Sequence, residues 1–205
     1  MEMRSSERIC RSPVGVKAWQ TEMPTVSAVR PARCMGCGVA SRPAGRNLVV
    51  HGDGTRERQM WGPESAEGRP TMTTVRARRF QCQRCGTCML VVPGEVLRRR
   101  LYTAPAIGLA LALWALLGLT AARVRGRVSP LTVVGAATAG RWTTLRRWAR
   151  ETISGRLFAT WRSPPENFTL RKHAERAAAM LRALAPPDLS VADAVFAGAA
   201  VHRPA

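Results

Sequence analysis

Two copies of one five-residue pattern, Cys34-Met35-Gly36-Cys37-Gly38 and Cys82-Gln83-Arg84-Cys85-Gly86, stand 44 residues apart in this 205-residue chain. Two thiolates three positions apart can grip one tetrahedral ion from a tight turn. A glycine after the second cysteine permits the left-handed backbone that points amide N–H groups at sulfur. Two such knuckles supply four ligands, Cys34, Cys37, Cys82 and Cys85. A site closed by four thiolates is structural and leaves no open position for catalysis. The pattern predicts a small β domain folded around Zn2+, because so short a segment buries too little apolar surface to fold alone.

Other readings of the cysteines stay open in the sequence: two disulfides, a redox-active C-x-x-C, or an iron–sulfur cluster, which the extension to Cys88 invites. Met1 to Gln20 contains no apolar export segment, which argues against disulfides and for a cytoplasmic protein. Thioredoxin-like chemistry lacks its βαβ setting. Zinc is the reading adopted, with Cys88 a spectator and Cys10 without an obvious partner.

Charge bounds the partners. Lys and Arg number 32 against 13 Asp and Glu, a net +19, and all but Lys17 and Lys172 of those cations are Arg. Such a surplus calls for a polyanion, either nucleic-acid phosphate or an anionic membrane. So few acids, with three histidines, leave little material for acid–base catalysis, and the chain is not expected to be an enzyme.

The fold class expected is α+β: a zinc-ribbon β domain followed by an all-α, helix-turn-helix-like domain. Residues 1–30 are polar and aperiodic and read as a flexible arm. Residues 31–94 form the ribbon. Its strands are Asn47–His51, closed by a turn at Gly52-Asp53-Gly54, then Thr73–Cys82 after a polar loop, and Met89–Val92. Residues 95–155 are helical, and 156–205 are a helical tail. Ser129-Pro130 suits a helix start, with a turn at Ala139-Gly140. From Arg141 to Thr152, Trp142, Leu145, Trp148 and Ala149 share one face, with Arg146, Arg147 and Arg150 outside. Ser163-Pro164-Pro165-Glu166 fits a capping box. Behind it Leu170, Ala174, Ala177, Ala178, Leu181 and Leu184 line one side, a face suited either to homo-oligomer contacts or to a lid over the helical core. Val191–Ala200 reads as a last short helix.

Ala104–Ala122, 19 residues without a charge, admits two readings. As one helix it measures about 28 Å against a hydrocarbon core of roughly 30 Å. Its strongest apolar residues contribute roughly −2 to −4 kcal/mol toward insertion, a marginal figure. Three arginines on each side give no orientation. A buried central helix is the reading adopted; the alternative is a single-span membrane protein carrying a cytoplasmic zinc ribbon.

A basic helix opening Arg141-Trp142-Thr143-Thr144 after a tight turn suits helix-turn-helix docking. Arg141, Thr143 and Thr144 would read base edges in DNA, and Arg146, Arg147 and Arg150 would hold phosphates. The order of parts resembles the N-terminal region of bacterial transposases and small stand-alone proteins related to them. It rests on the C-x-x-C-G knuckles, Arg79-Phe80-Gln81-Cys82-Gln83-Arg84-Cys85-Gly86 and Thr144-Leu145-Arg146-Arg147-Trp148, over roughly residues 31–152. The resemblance implies DNA binding. The 53 residues after position 152 leave no room for the metal-binding carboxylate domain of strand transfer. It therefore implies an accessory or regulatory factor without that activity.

Overall fold

A computed structural model describes residues 7–132, 142–158, 165 and 167–202. The chain is mixed α+β, with a four-stranded sheet and six helices among the described residues. It divides into two compact units, residues 1–59 with 74–99, and residues 60–73 with 100–205.

The sheet comprises β1 (Arg8–Arg11), β2 (Val50–Gly62), β3 (Thr71–Cys82) and β4 (Cys88–Val92), in the order β1-β4-β3-β2. β4 pairs antiparallel with β3, Phe80 opposite Met89, and parallel with β1, Ile9 opposite Leu90. Flanked on both edges and covered on both faces, all of β4 is buried. That is why Cys88-Met89-Leu90-Val91-Val92 is uniformly apolar rather than alternating. In β3 the buried set changes phase, from Val75 and Ala77 to Phe80 and Cys82, leaving Arg78 and Arg79 half-buried between.

Two expectations are corrected here. The segment read as a flexible arm is folded from Glu7 onward: it supplies β1 and a short helix, α1 (Val16–Thr21). Trp19 anchors it, 2% exposed, its indole Nε1 donating to the Arg76 carbonyl at 2.8 Å. The Val16 amide donates to the Glu95 carboxylate at 2.9 Å. Both partners lie far along the chain, so no local periodicity announces them. Nor does Gly52-Asp53-Gly54 close a strand, since β2 runs through it. Gly54 takes φ +78° there, and Asp53 pairs with Arg79 on β3 at 3.3 Å.

In the second unit lie α2 (Ala104–Ala115), α3 (Ala121–Val128), α4 (Thr143–Ile153), α5 (Leu170–Arg182) and α6 (Val191–Val201). Every residue from Ala104 to Leu113 is buried, because α2 packs against all four of the others. Thr103 caps it, accepting from the Ala106 amide, with Pro in the first turn. Close approach explains the small residues. A Cβ on Gly108 would sit 2.8 Å from the Ala199 Cβ, and one on Gly198 2.7 Å from the Leu181 carbonyl carbon.

The long apolar run is thus divided. α2 stops at Ala115, Gly118 turns the chain at φ +72°, and Thr120 caps α3. No helix among the described residues is long and apolar enough to cross a membrane. Ser129 ends α3 rather than starting a helix, and its hydroxyl accepts from Tyr102 at 2.8 Å. Tyr102 is the hub of an edge-on aromatic group, with Trp148 at 4.9 Å, Trp61 at 5.4 Å and Trp142 at 6.2 Å.

The expected turn at Ala139-Gly140 lies outside the described residues, as do Ser163, Pro164 and Glu166 of the expected capping box. α5 starts instead at Leu170, where Thr169 accepts from the Lys172 amide at 3.3 Å. Ala174, Ala177, Ala178 and Leu181 are buried on α5, whereas Leu184 lies past its end and is exposed.

Candidate metal centre

The two knuckles close with the same bonds. The Cys34 amide donates to the Val39 carbonyl at 2.9 Å and the Gly38 amide to the Cys34 carbonyl at 2.9 Å. In the second copy Cys82 donates to Thr87 at 3.1 Å and Gly86 to Cys82 at 2.8 Å. Gly38 and Gly86 sit at φ +71° and +69°, the left-handed region that glycine enters without strain. The second knuckle is the turn between β3 and β4. The first is flanked by an antiparallel bridge between Arg33 and Ala40. Buried Ser41 fastens that flank: its amide donates to the Ala32 carbonyl at 2.9 Å and its hydroxyl to the Pro31 carbonyl. The Val49 amide then donates to Ser41, and Gln83 to Val49, both at 2.9 Å. This chain of bonds ties one knuckle to the other.

The four sulfurs converge. Cys34 and Cys85 lie 3.6 Å apart and Cys37 and Cys82 3.9 Å apart, and the whole set fits within 4.8 Å. Four thiolates at Zn–S bonds of about 2.3 Å would stand about 3.8 Å apart around a tetrahedral ion. Disulfides require about 2.05 Å, and all six cysteines are free thiols. Cys34 and Cys82 are buried, Cys37 and Cys85 exposed.

Polar hydrogens surround the sulfurs. The Gly36 amide donates to Cys34 Sγ at 3.2 Å, and the amides of Cys85 and Arg84 donate to Cys82. Burial nonetheless pushes Cys82 up to about 11, while the hydroxyl and amide of Thr87 hold Cys85 down to about 6. Thr87 also explains Gly36. A Cβ there would overlap Thr87 Oγ1 and lie 3.3 Å from Cys85 Sγ. The sequence reading singles out neither residue, because the reason for each lies in the other knuckle; the one signal is that the first copy, Cys34-Met35-Gly36-Cys37-Gly38, carries a glycine at 36 where the second carries Arg84.

The two remaining cysteines stand apart from this group. Cys88 pairs in register with Gln81 and so faces away from the side that Cys82 takes; Arg79 Nη2 donates to it at 3.5 Å. Cys10 Sγ donates to Met35 Sδ at 3.0 Å, and burial with the nearby Cys34 pushes its thiol up to about 11.

On α4, Thr143, Arg146, Arg147 and Arg150 are exposed along one face and Thr144 is half-buried. Leu145, Trp148 and Ala149 are buried opposite. Arg141 lies outside the described residues. Around the knuckles, residues 31–51 and 81–94 contain no Asp or Glu, and Arg33, Arg42, Arg46 and Arg84 are exposed. Comparison with protein-family models, curated proteins and solved structures returns no match.

Proposed function

We propose that Cys34, Cys37, Cys82 and Cys85 hold one structural Zn2+ in a zinc ribbon, and that the chain is a DNA-binding protein of the cytoplasm. One observation supports the metal: two knuckles closed by the same bonds bring four sulfurs within 4.8 Å of one another, a spacing compatible with one tetrahedral ion. When bound, zinc would supply folding energy and keep the thiols deprotonated. With four protein ligands it would have no open position for a substrate.

Two sets of exposed cations support a phosphate partner: Arg146, Arg147 and Arg150 on α4, and Arg33, Arg42, Arg46 and Arg84 around the knuckles. In this reading α4 is the recognition helix of a helix-turn-helix. Thr143, Thr144 and Arg141 meet bases, and Arg146, Arg147 and Arg150 hold phosphates. The resemblance to transposase N-terminal regions suggests an accessory or regulatory factor without strand transfer.

The test is elemental analysis of the purified full chain, followed by DNA binding at several salt concentrations. One zinc per chain, and a log affinity that falls linearly with log salt, are the expected results. Metal-free protein would overturn the ribbon. Zinc-loaded protein that ignores DNA would leave the ribbon and remove the DNA reading.

A further inference from the structure

The four sulfurs are unequal, and their inequality has a pattern. Two pairs that join one knuckle to the other combine one exposed with one buried sulfur: Cys85 with Cys34 at 3.6 Å, and Cys37 with Cys82 at 3.9 Å. An oxidant in solvent reaches Cys37 and Cys85 first. A buried sulfur of the opposite knuckle then lies within 4 Å of each, shielded from direct attack.

From this we infer that the centre is an oxidation site for hydroperoxides, which convert it into two cross-knuckle disulfides, Cys34–Cys85 and Cys37–Cys82, and release the ion. The inference rests on the zinc reading above. In the first step an exposed thiolate attacks the peroxide O–O bond, giving a sulfenic acid and hydroxide. In the second, the buried thiolate of the pair attacks the sulfenic sulfur, forming the S–S bond and expelling a second hydroxide. Two thiolates lose two electrons, one peroxide gains them, and two peroxides empty the centre. Because the new bonds span the knuckles as the ion did, the fold around them is kept. A thiol reductant with zinc restores the centre.

The experiment treats the zinc-loaded full chain with graded hydrogen peroxide. Zinc release is followed with a chromophoric chelator, and tryptic peptides are mapped without reduction. Trypsin separates residues 34–46, carrying Cys34 and Cys37, from 80–84, carrying Cys82, and from 85–98, carrying Cys85 and Cys88. Expected is fragment 34–46 joined to both others, with fragmentation between Cys34 and Cys37 placing 85–98 on Cys34 and 80–84 on Cys37, in step with zinc loss, unchanged in Cys88→Ser and reversed by dithiothreitol with zinc; the opposite placement overturns the inference. Disulfides within a knuckle, 34–46 oxidised alone or 80–84 joined to 85–98, would overturn the inference. So would retained zinc, or irreversible sulfinic acids. A chain that purifies without zinc overturns the zinc reading and this inference with it; the other failures leave zinc in place.

Discussion

Gly36 and Thr87 meet where the two knuckles press together, so a single methyl group should be felt at the metal. Gly36→Ala places a Cβ on the Thr87 hydroxyl, and zinc affinity should fall at least tenfold in a chelator competition. Gly36→Ala combined with Thr87→Ser should recover part of the loss, because the serine can turn its hydroxyl away. Cys82→Ser should lose the ion outright, read by elemental analysis. Cys10 offers a contrast. Its thiol is pushed up to about 11, and a raised thiol stays protonated, and so unreactive, until pH approaches that value. Iodoacetamide at pH 8 should therefore label Cys10 about a hundredfold more slowly in the folded chain than in denaturant, by mass spectrometry. At this scale the four sulfurs were legible, because C-x-x-C-G encodes its own turn. Gly36, Thr87 and the Cys10–Met35 contact were not, because each depends on a partner from another segment.

Among elements, α4 separates its duties cleanly. Leu145, Trp148 and Ala149 are buried and Arg146 and Arg147 exposed, so Arg146→Ala with Arg147→Ala should leave the melting temperature unchanged. The same pair should weaken DNA binding and reduce the slope of log affinity against log salt by about 2. An unchanged slope in an electrophoretic or fluorescence titration would remove α4 from the interface. Where α5 and α6 cross, the tolerance is smaller. Gly198→Ala drives a methyl into the backbone at Leu181, and overpacking of this kind costs about 1–3 kcal/mol, measurable by denaturant unfolding. Helices with a clear 3.6-residue stripe, α4 and α5, could be read from the sequence. The apolar run could not be divided, because α2 is buried on every side and carries no stripe; only Gly118 and Thr120 mark its end. β1 and α1 were missed for the related reason that short elements draw their stability from distant partners.

All four converging cysteines belong to the first compact unit, while the helices from α2 to α6 belong to the second. Removing zinc with a strong chelator should therefore spare most of the helical circular dichroism, while the backbone amides of residues 31–49 lose protection from hydrogen exchange. Uniform loss of protection across both units would mean that the ion stabilises the whole chain. The mixed fold class was readable from the change of texture after Glu95. The division into units was not, since residues 60–73 leave the first unit and join the second. The parallel pairing of β1 with β4 also sets a timetable. A ribosome adding about 5–20 residues per second releases Arg8–Arg11 some 4–15 seconds before Cys88–Val92. Through that interval the earlier strand has no edge to join, and β4, once made, is an open apolar edge until the two meet. If the knuckles hold zinc as proposed, an ion could cross-link them once β4 is made, while the sheet is still one strand short.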